Sequence, residues 1–308
     1  MEGIIGIAFA GLSAAANSIG FLMRHRGAVA VHDVEARHPL HSAVDLFRSK
    51  WWTLGFALAI VAYLFHAGAL TMVALSAIQA IFAAGLVFMA VIAERWFGLE
   101  VGPRQWLGLG LAAAGLIALA LTGDVPSGQH TANYSPAAMI GFSVVLSALG
   151  VAALVEGWRR AHGVLLAVAT ALILTVTHVA LKAASGKLDS GVGAVLATPY
   201  VYVMVVGGVV AFFASARSLQ LGPGVAVIAV TAIVGNAAAV AAGIVVFGDP
   251  LGSDTASTVL RLLAFALVIG ASTLIPGPLR ARRRARRGAV SPSQPAPRYP
   301  ARPARPAA

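Results

Sequence analysis

Apolar residues dominate this chain in long unbroken runs, and polar residues collect between them. Nine runs are long enough to cross about 30 Å of hydrocarbon, which takes roughly 20 helical residues. They are Gly3–Met23, Trp51–Leu70, Met72–Ala93, Arg104–Thr122, Ser135–Val155, Gly163–Leu181, Thr198–Ala216, Pro223–Phe247 and Thr258–Ile275. The runs are continuous rather than alternating, so each reads as a helix and not as a strand of a barrel. Two stretches are too polar to span. Arg24–Lys50 reads as a solvated loop or surface helix. Gly288–Ala308, rich in Pro, Ala and Arg, has no apolar pattern to bury and reads as a disordered tail.

Composition sharpens this picture. The 308 residues are 59% hydrophobic and 11% charged, whereas a soluble domain is about 25% charged. That excludes a soluble enzyme and leaves an all-α polytopic membrane protein. Cysteine is absent, so disulfides, thiolate zinc sites and thiol nucleophiles are excluded.

Charge sets the expected topology. Of the 22 Lys and Arg, 19 fall on one side of a nine-helix arrangement and 3 (Lys182, Lys187 and Arg261) on the other. The positive-inside rule then puts the N-terminus outside and the C-terminus in the cytoplasm of a multi-pass plasma (inner) membrane protein. The first run has no basic N-terminal flank, so it is expected to remain as a helix rather than be a cleaved signal. Trp51, Trp52, Trp96, Trp106 and Trp158 all fall at cytoplasmic boundaries and read as an aromatic belt. The six arginines Arg280, Arg282, Arg283, Arg284, Arg286 and Arg287 follow the last run. They are expected to meet anionic lipid headgroups, at about 1 kcal/mol per charge near the surface, rather than nucleic acid.

The sequence also repeats itself. "VIAERWFG…LAAAGLIAL" and "IVVFGDPLG…FALVIGAST" share a texture, and Glu94 to Gly115 spans 21 positions, as does Asp249 to Gly270. The topology inverts one unit relative to the other. Inverted repeats characterise secondary transporters, whose site lies near the midplane. The expected division is 1–123 as a four-helix repeat, 124–280 as a five-helix repeat and 281–308 as the basic tail.

The unit "VALSAIQAIFAAGLVFMAVIAER" with "GLGLAAAGLIAL" resembles the repeat of the drug/metabolite transporter (EamA-like) superfamily. In that repeat a small-residue helix ends at a Glu and the next helix carries a Gly. Glu94 with Gly115, and Asp249 with Gly270, fill those positions. The superfamily has ten helices in two inverted fives. The resemblance implies that this chain lacks the second helix of the first repeat, where Arg24–Lys50 sits. That four-plus-five layout, with "NSIGFLMRHRGA" and "KWWTLGF", is similar to the NIPA branch, described as magnesium transporters. One departure is that Ala77–Ala83 carries no Pro, where the branch's third helix would have one.

Candidate chemistry is sparse. Every acidic residue lies at a run end, in a loop or at Glu2, so a midplane magnesium site would have only amides, hydroxyls and carbonyls to use. The polar groups at depth are Asn17, His66, Gln79, His178 and Asn236. Counting 1.5 Å per residue, Asn236 lies about 2 Å from mid-helix and Gln79 and Asn17 about 6 Å away. His66 and His178 lie about 8–9 Å toward the outer face. They read either as a polar pathway or as interhelical hydrogen bonds. His25, His32, His38 and His41, with Asp33, Glu35 and Asp45, crowd the first polar loop without a tight metal-ligand spacing. No P-loop, HExxH pair or buried nucleophile is present, so no enzyme activity or cofactor is expected. The reading is a transporter of a small solute working by alternating access, with a divalent cation such as magnesium as the candidate that the resemblance supplies. A small organic metabolite or drug is the alternative cargo, and a non-transporting assembly protein is the rival. Homo-oligomer formation stays open.

Overall fold

The computed structural model describes residues 2–35, 38–70, 75–121, 134–185, 191–248 and 254–275. These residues form helices and connections, without strands among them. The order is α1 (Glu2–Val29), α2 (Pro39–Arg48), α3 (Lys50–Leu70), α4 (Leu75–Phe97), α5 (Pro103–Leu121) and α6 (Pro136–Arg159). Then follow α7 (Gly163–Ser185), α8 (Val192–Leu196), α9 (Pro199–Leu221), α10 (Gly224–Phe247) and α11 (Thr255–Leu274). They belong to one compact unit, Met1–Pro276; everything after Ile275 lies outside the described residues. The arginines of 280–287 and the tail therefore lie outside the described residues, as does Asp249.

Local chemistry sets the helix ends. Prolines open α2, α6 and α9 at the first turn, where the missing N–H costs nothing. Ser135 accepts from the Ala138 amide at the start of α6. Asp254 and Ser257 form a reciprocal capping box at the start of α11, and the Ser257 hydrogen bonds hold the Asp254 carboxyl below its ordinary range. α4 and α10 stop where Gly98 and Gly248 take left-handed φ of 62° and 70°, a conformation that other residues resist.

Of the two readings of Arg24–Lys50, solvated loop or surface helix, the structure takes the helical one over most of the segment. α1 continues to Val29, and α2 occupies most of the remainder. Nothing at Met23 breaks a helix. The basic side chains that follow cover aromatic faces, with Arg24 4.1 Å above the Phe21 ring and Arg26 4.1 Å above Trp51.

Apolar side chains cover the outer surface of the bundle as well as filling its core. Large apolar side chains such as Leu149, Val151, Val205, Val206, Leu263 and Ile269 are more than half exposed, which is what a bilayer solvent permits. Among the described residues, five helices are long and apolar enough to cross a membrane, against nine runs expected: Ile4–Val29, Pro136–Arg159, Gly163–Leu181, Pro199–Leu221 and Gly224–Phe247. Lys50–Phe65 and Thr255–Ala271 are shorter apolar stretches.

Small residues let the helices approach. A Cβ built on Gly20 would lie 3.0 Å from the Gly55 carbonyl oxygen, and one on Gly163 would lie 2.4 Å from the Gly222 nitrogen. With no difference in polarity between side chains and lipid tails, such backbone proximity is the main source of helix affinity. α1 packs on α3 and α4, and α4 on α5. α7 packs on α9 and α10, and α10 on α11. α5 lies along α11, and α6 along α7. α10 enters the centre, and Val225 to Val230 are all nearly fully buried. A smaller apolar cluster of Met139, Val179, Ala183, Ala242 and Val246 closes the opposite end. Beside it the Tyr134 and Tyr200 hydroxyls lie 2.6 Å apart. That hydrogen bond, with burial second, pushes the Tyr134 hydroxyl up to about 12.

Candidate functional site

Of the five expected pathway residues, three have side chains among the described residues. Asn17 on α1 and Asn236 on α10 are half-buried, and His178 stands exposed on α7. His66 sits on α3 and Gln79 on α4, but their side chains lie outside the described residues. Beside Asn17 the hydroxyls act as interhelical ties. Ser13 donates to the Ala62 carbonyl at 2.6 Å, and Ser18 reaches the Gly85 carbonyl at 3.4 Å.

The repeat-motif residues part company. Glu94 accepts from the Val101 amide at 3.2 Å and from Trp106 Nε1 at 3.3 Å. Its carboxylate thus holds the α4–α5 turn, which an open groove of about 390 Å³ adjoins. Gly115 is a contact point, since a Cβ there would lie 2.7 Å from Val268 and 3.1 Å from the Ala264 carbonyl of α11. A Cβ built on Gly270 would find no heavy atom of a neighbour within 4 Å, so the close approach seen at Gly115 is not repeated there.

The densest polar constellation is one that sequence reasoning missed. Gln220, at the end of α9, donates from Nε2 to the Ala28 and His32 carbonyls, both at 2.9 Å. Its Oε1 accepts from the Val34 amide at 2.9 Å and from Arg217 at 3.2 Å. Arg217 also pairs with Asp33 at 2.8 Å. His25 Nδ1 lies 3.0 Å from the Leu219 carbonyl and donates to it, and the His25 ring fills the space above Gly224. These contacts tie the end of α1 to the α9–α10 corner. The signal was present as the polar text "ARSLQ" closing an apolar run, but nothing local says what it binds.

Two buried cations were also missed. Arg261 lies seven residues inside α11 and is 7% exposed. It shares the stripe of Ala264, Val268, Ala271 and Ile275, whose spacing of three and four residues marks one helix face. Arg24 buries its Nε, and Trp52, 1% exposed, buries its Nε1; neither atom has a hydrogen-bond partner among the described residues. The expected tryptophan belt is thereby corrected at one position. Trp52 packs in the core, edge-on to Phe212 at 5.7 Å, whereas Trp96 is 71% exposed. Two of the four loop histidines approach Asp45: His41 lies 3.4 Å and His32 3.9 Å from its carboxylate. Among the described residues no group of three or more His, Asp or Glu is arranged to hold a metal ion.

No family model matches the chain, and no solved structure matches it. It is similar to the Arabidopsis thaliana protein named "Probable magnesium transporter NIPA9", at 21% identity over 271 residues, covering 83% of this chain and 77% of that one. Together with the apolar helices and their lipid-compatible surface, that likeness identifies a multi-pass membrane protein.

Proposed function

We propose that this chain is a membrane transporter that moves a small solute by alternating access, with nine spans, the N-terminus outside and the C-terminus in the cytoplasm of the plasma membrane. The observation that carries the reading is a pairing of helices. α1 meets α3 and α4 as α7 meets α9 and α10, and α4 meets α5 as α10 meets α11. α1 ends, and α7 begins, at the same end of the bundle, where Gln220 and Gly222 meet them. The two sets therefore run in opposite directions, as inverted repeats require. In this reading α6 is the unmatched helix. α6 then has no counterpart among the described helices of the first set, whereas the resemblance places the gap at Arg24–Lys50. Arg24, Arg26, Arg48, Lys50, Arg159, Arg160 and Arg217 gather at that same end, which supports its cytoplasmic placement.

Magnesium is the cargo that the relative's name suggests. Loss of Gln79 or Asn236 tests it. In proteoliposomes holding a magnesium-sensitive dye, Gln79→Leu and Asn236→Leu should each cut magnesium entry per folded molecule by roughly tenfold. That is the effect of about 1.4 kcal/mol on a hydrogen-bonded pathway group. If the amides only join helices, stability falls by about 0.6–2 kcal/mol and entry per folded molecule keeps its wild-type value. A second reading has its own observation. Arg24 of α1 buries its Nε without a hydrogen-bond partner among the described residues, and a fixed positive charge along a low-dielectric path favours an anionic organic cargo over a divalent cation. Competition of dye-reported entry by organic anions separates the two.

A further inference from the structure

We propose that α2 is an in-plane membrane helix, seated in the cytoplasmic leaflet, with its outer face against lipid acyl chains. α2 has three distinct faces. Ser42, Asp45 and Leu46 are buried and turn toward the protein. Ser42 Oγ accepts from the Glu35 amide at 3.1 Å, and Asp45 meets His32, His41 and Arg48. Opposite them, Leu40, Val44 and Phe47 are 82%, 50% and 43% exposed. Their spacing of four and three residues places them on a single stripe. His41 and Arg48, both largely exposed, flank that stripe on one side.

An uncovered stripe alone does not name its occupant; three observations do. First, α2 is joined to α3 through Ser49 alone, so it cannot leave the level at which α3 starts, where Arg26 lies over Trp51. Second, the stripe continues onto the outer surface of the spanning helices. Phe47 meets Phe56 of α3 at 5.4 Å and stacks on Phe212 of α9 at 6.0 Å with rings 6° from parallel. Third, the polar flank carries Arg48, with Lys50 just beyond it, which complements anionic headgroups. A short amphipathic helix with an apolar stripe, a cationic flank and a span at its end has the chemistry of an interfacial element.

The absence of cysteine makes the test direct. Leu40→Cys, Val44→Cys, His41→Cys and Arg48→Cys are each labelled with an environment-sensitive fluorophore in the full chain. They are reconstituted into vesicles of phosphatidylcholine and phosphatidylglycerol, with or without bromine on the acyl chains. The expected result is that brominated lipid quenches labels at 40 and 44 several-fold more than those at 41 and 48, and that aqueous iodide shows the reverse order. Equal iodide quenching at all four positions overturns the proposal. So does protection of 40 and 44 from iodide without quenching by brominated lipid, because a protein surface then covers the stripe. All four side chains are exposed, so the variants should elute as wild type, and two positions on each face keep the comparison intact if one fails.

Discussion

Gly27→Leu should remove folded protein almost entirely, while Gly110→Leu should leave it at the wild-type level. A Cβ at residue 27 would lie 2.4 Å from the Trp52 nitrogen and 2.8 Å from its Cα and Cβ. Backbone cannot step aside as a side-chain tip can, so the cost exceeds the ~1–3 kcal/mol of ordinary overpacking. α1 and α3 must separate, and with them the Gly20–Gly55 approach and the buried Trp52. At Gly110 nothing lies within 4 Å, and an added Leu there meets only the surroundings of the bundle. The check is the monodisperse yield after extraction, with thermal unfolding of whatever is recovered. A Gly27→Leu protein of wild-type yield and melting temperature would show that α1 and α3 do not pack as described.

Gln220→Leu should cost about 2–4 kcal/mol, from four hydrogen bonds at roughly 0.5–1.5 kcal/mol each with some rescue by water. The change leaves the Ala28 and His32 carbonyls and the Val34 amide without their partner. It also deprives Arg217 of one of two acceptors, the other being Asp33. Gln220→Glu keeps an acceptor for Val34 and Arg217 but loses both donations, so its loss should fall between those of Leu and wild type. Unfolding of the three proteins in one detergent orders them, and a Leu variant as stable as wild type would mean that the tie between α1 and α9 contributes nothing.

Much of the fold was legible because lipid demands length and apolarity together. Nine of the eleven described helices fall on the predicted runs to within a few residues at most ends, of which five are long and apolar enough to span, and "KWWTLGF" opens α3 as read. The extension of α1 to Val29 was hidden because Arg24, His25 and Arg26 look like a loop by hydropathy. They are helical because their neighbours Phe21, Trp51 and Leu219 accept them, which only tertiary structure reveals. Likewise Trp52 and Trp51 are adjacent and identical in type, yet one is core and the other lies under Arg26. The matched spacing of Glu94–Gly115 with Asp249–Gly270 suggested equal roles, but an added Cβ would press into α11 at Gly115 and find open space at Gly270. Spacing records the period of a helix and not the direction from which a neighbour arrives. The functional residues were the hardest to read. Asn17 and Asn236 stood out as lone amides, whereas Gln220 and Arg261 looked like run ends, and only packing shows that one bridges two helices and the other is buried.

Counterflow tests the central proposal most directly. Proteoliposomes preloaded with unlabelled magnesium are diluted into a trace of the labelled ion, and uptake is followed over time. If the chain works by alternating access, internal cargo should drive a transient accumulation of label above equilibrium, absent from protein-free vesicles, with internal organic anion substituting if that is the true cargo. Sealed vesicles holding correctly folded protein that show no accumulation with any of these solutes would contradict a carrier, and would leave a membrane protein of another kind.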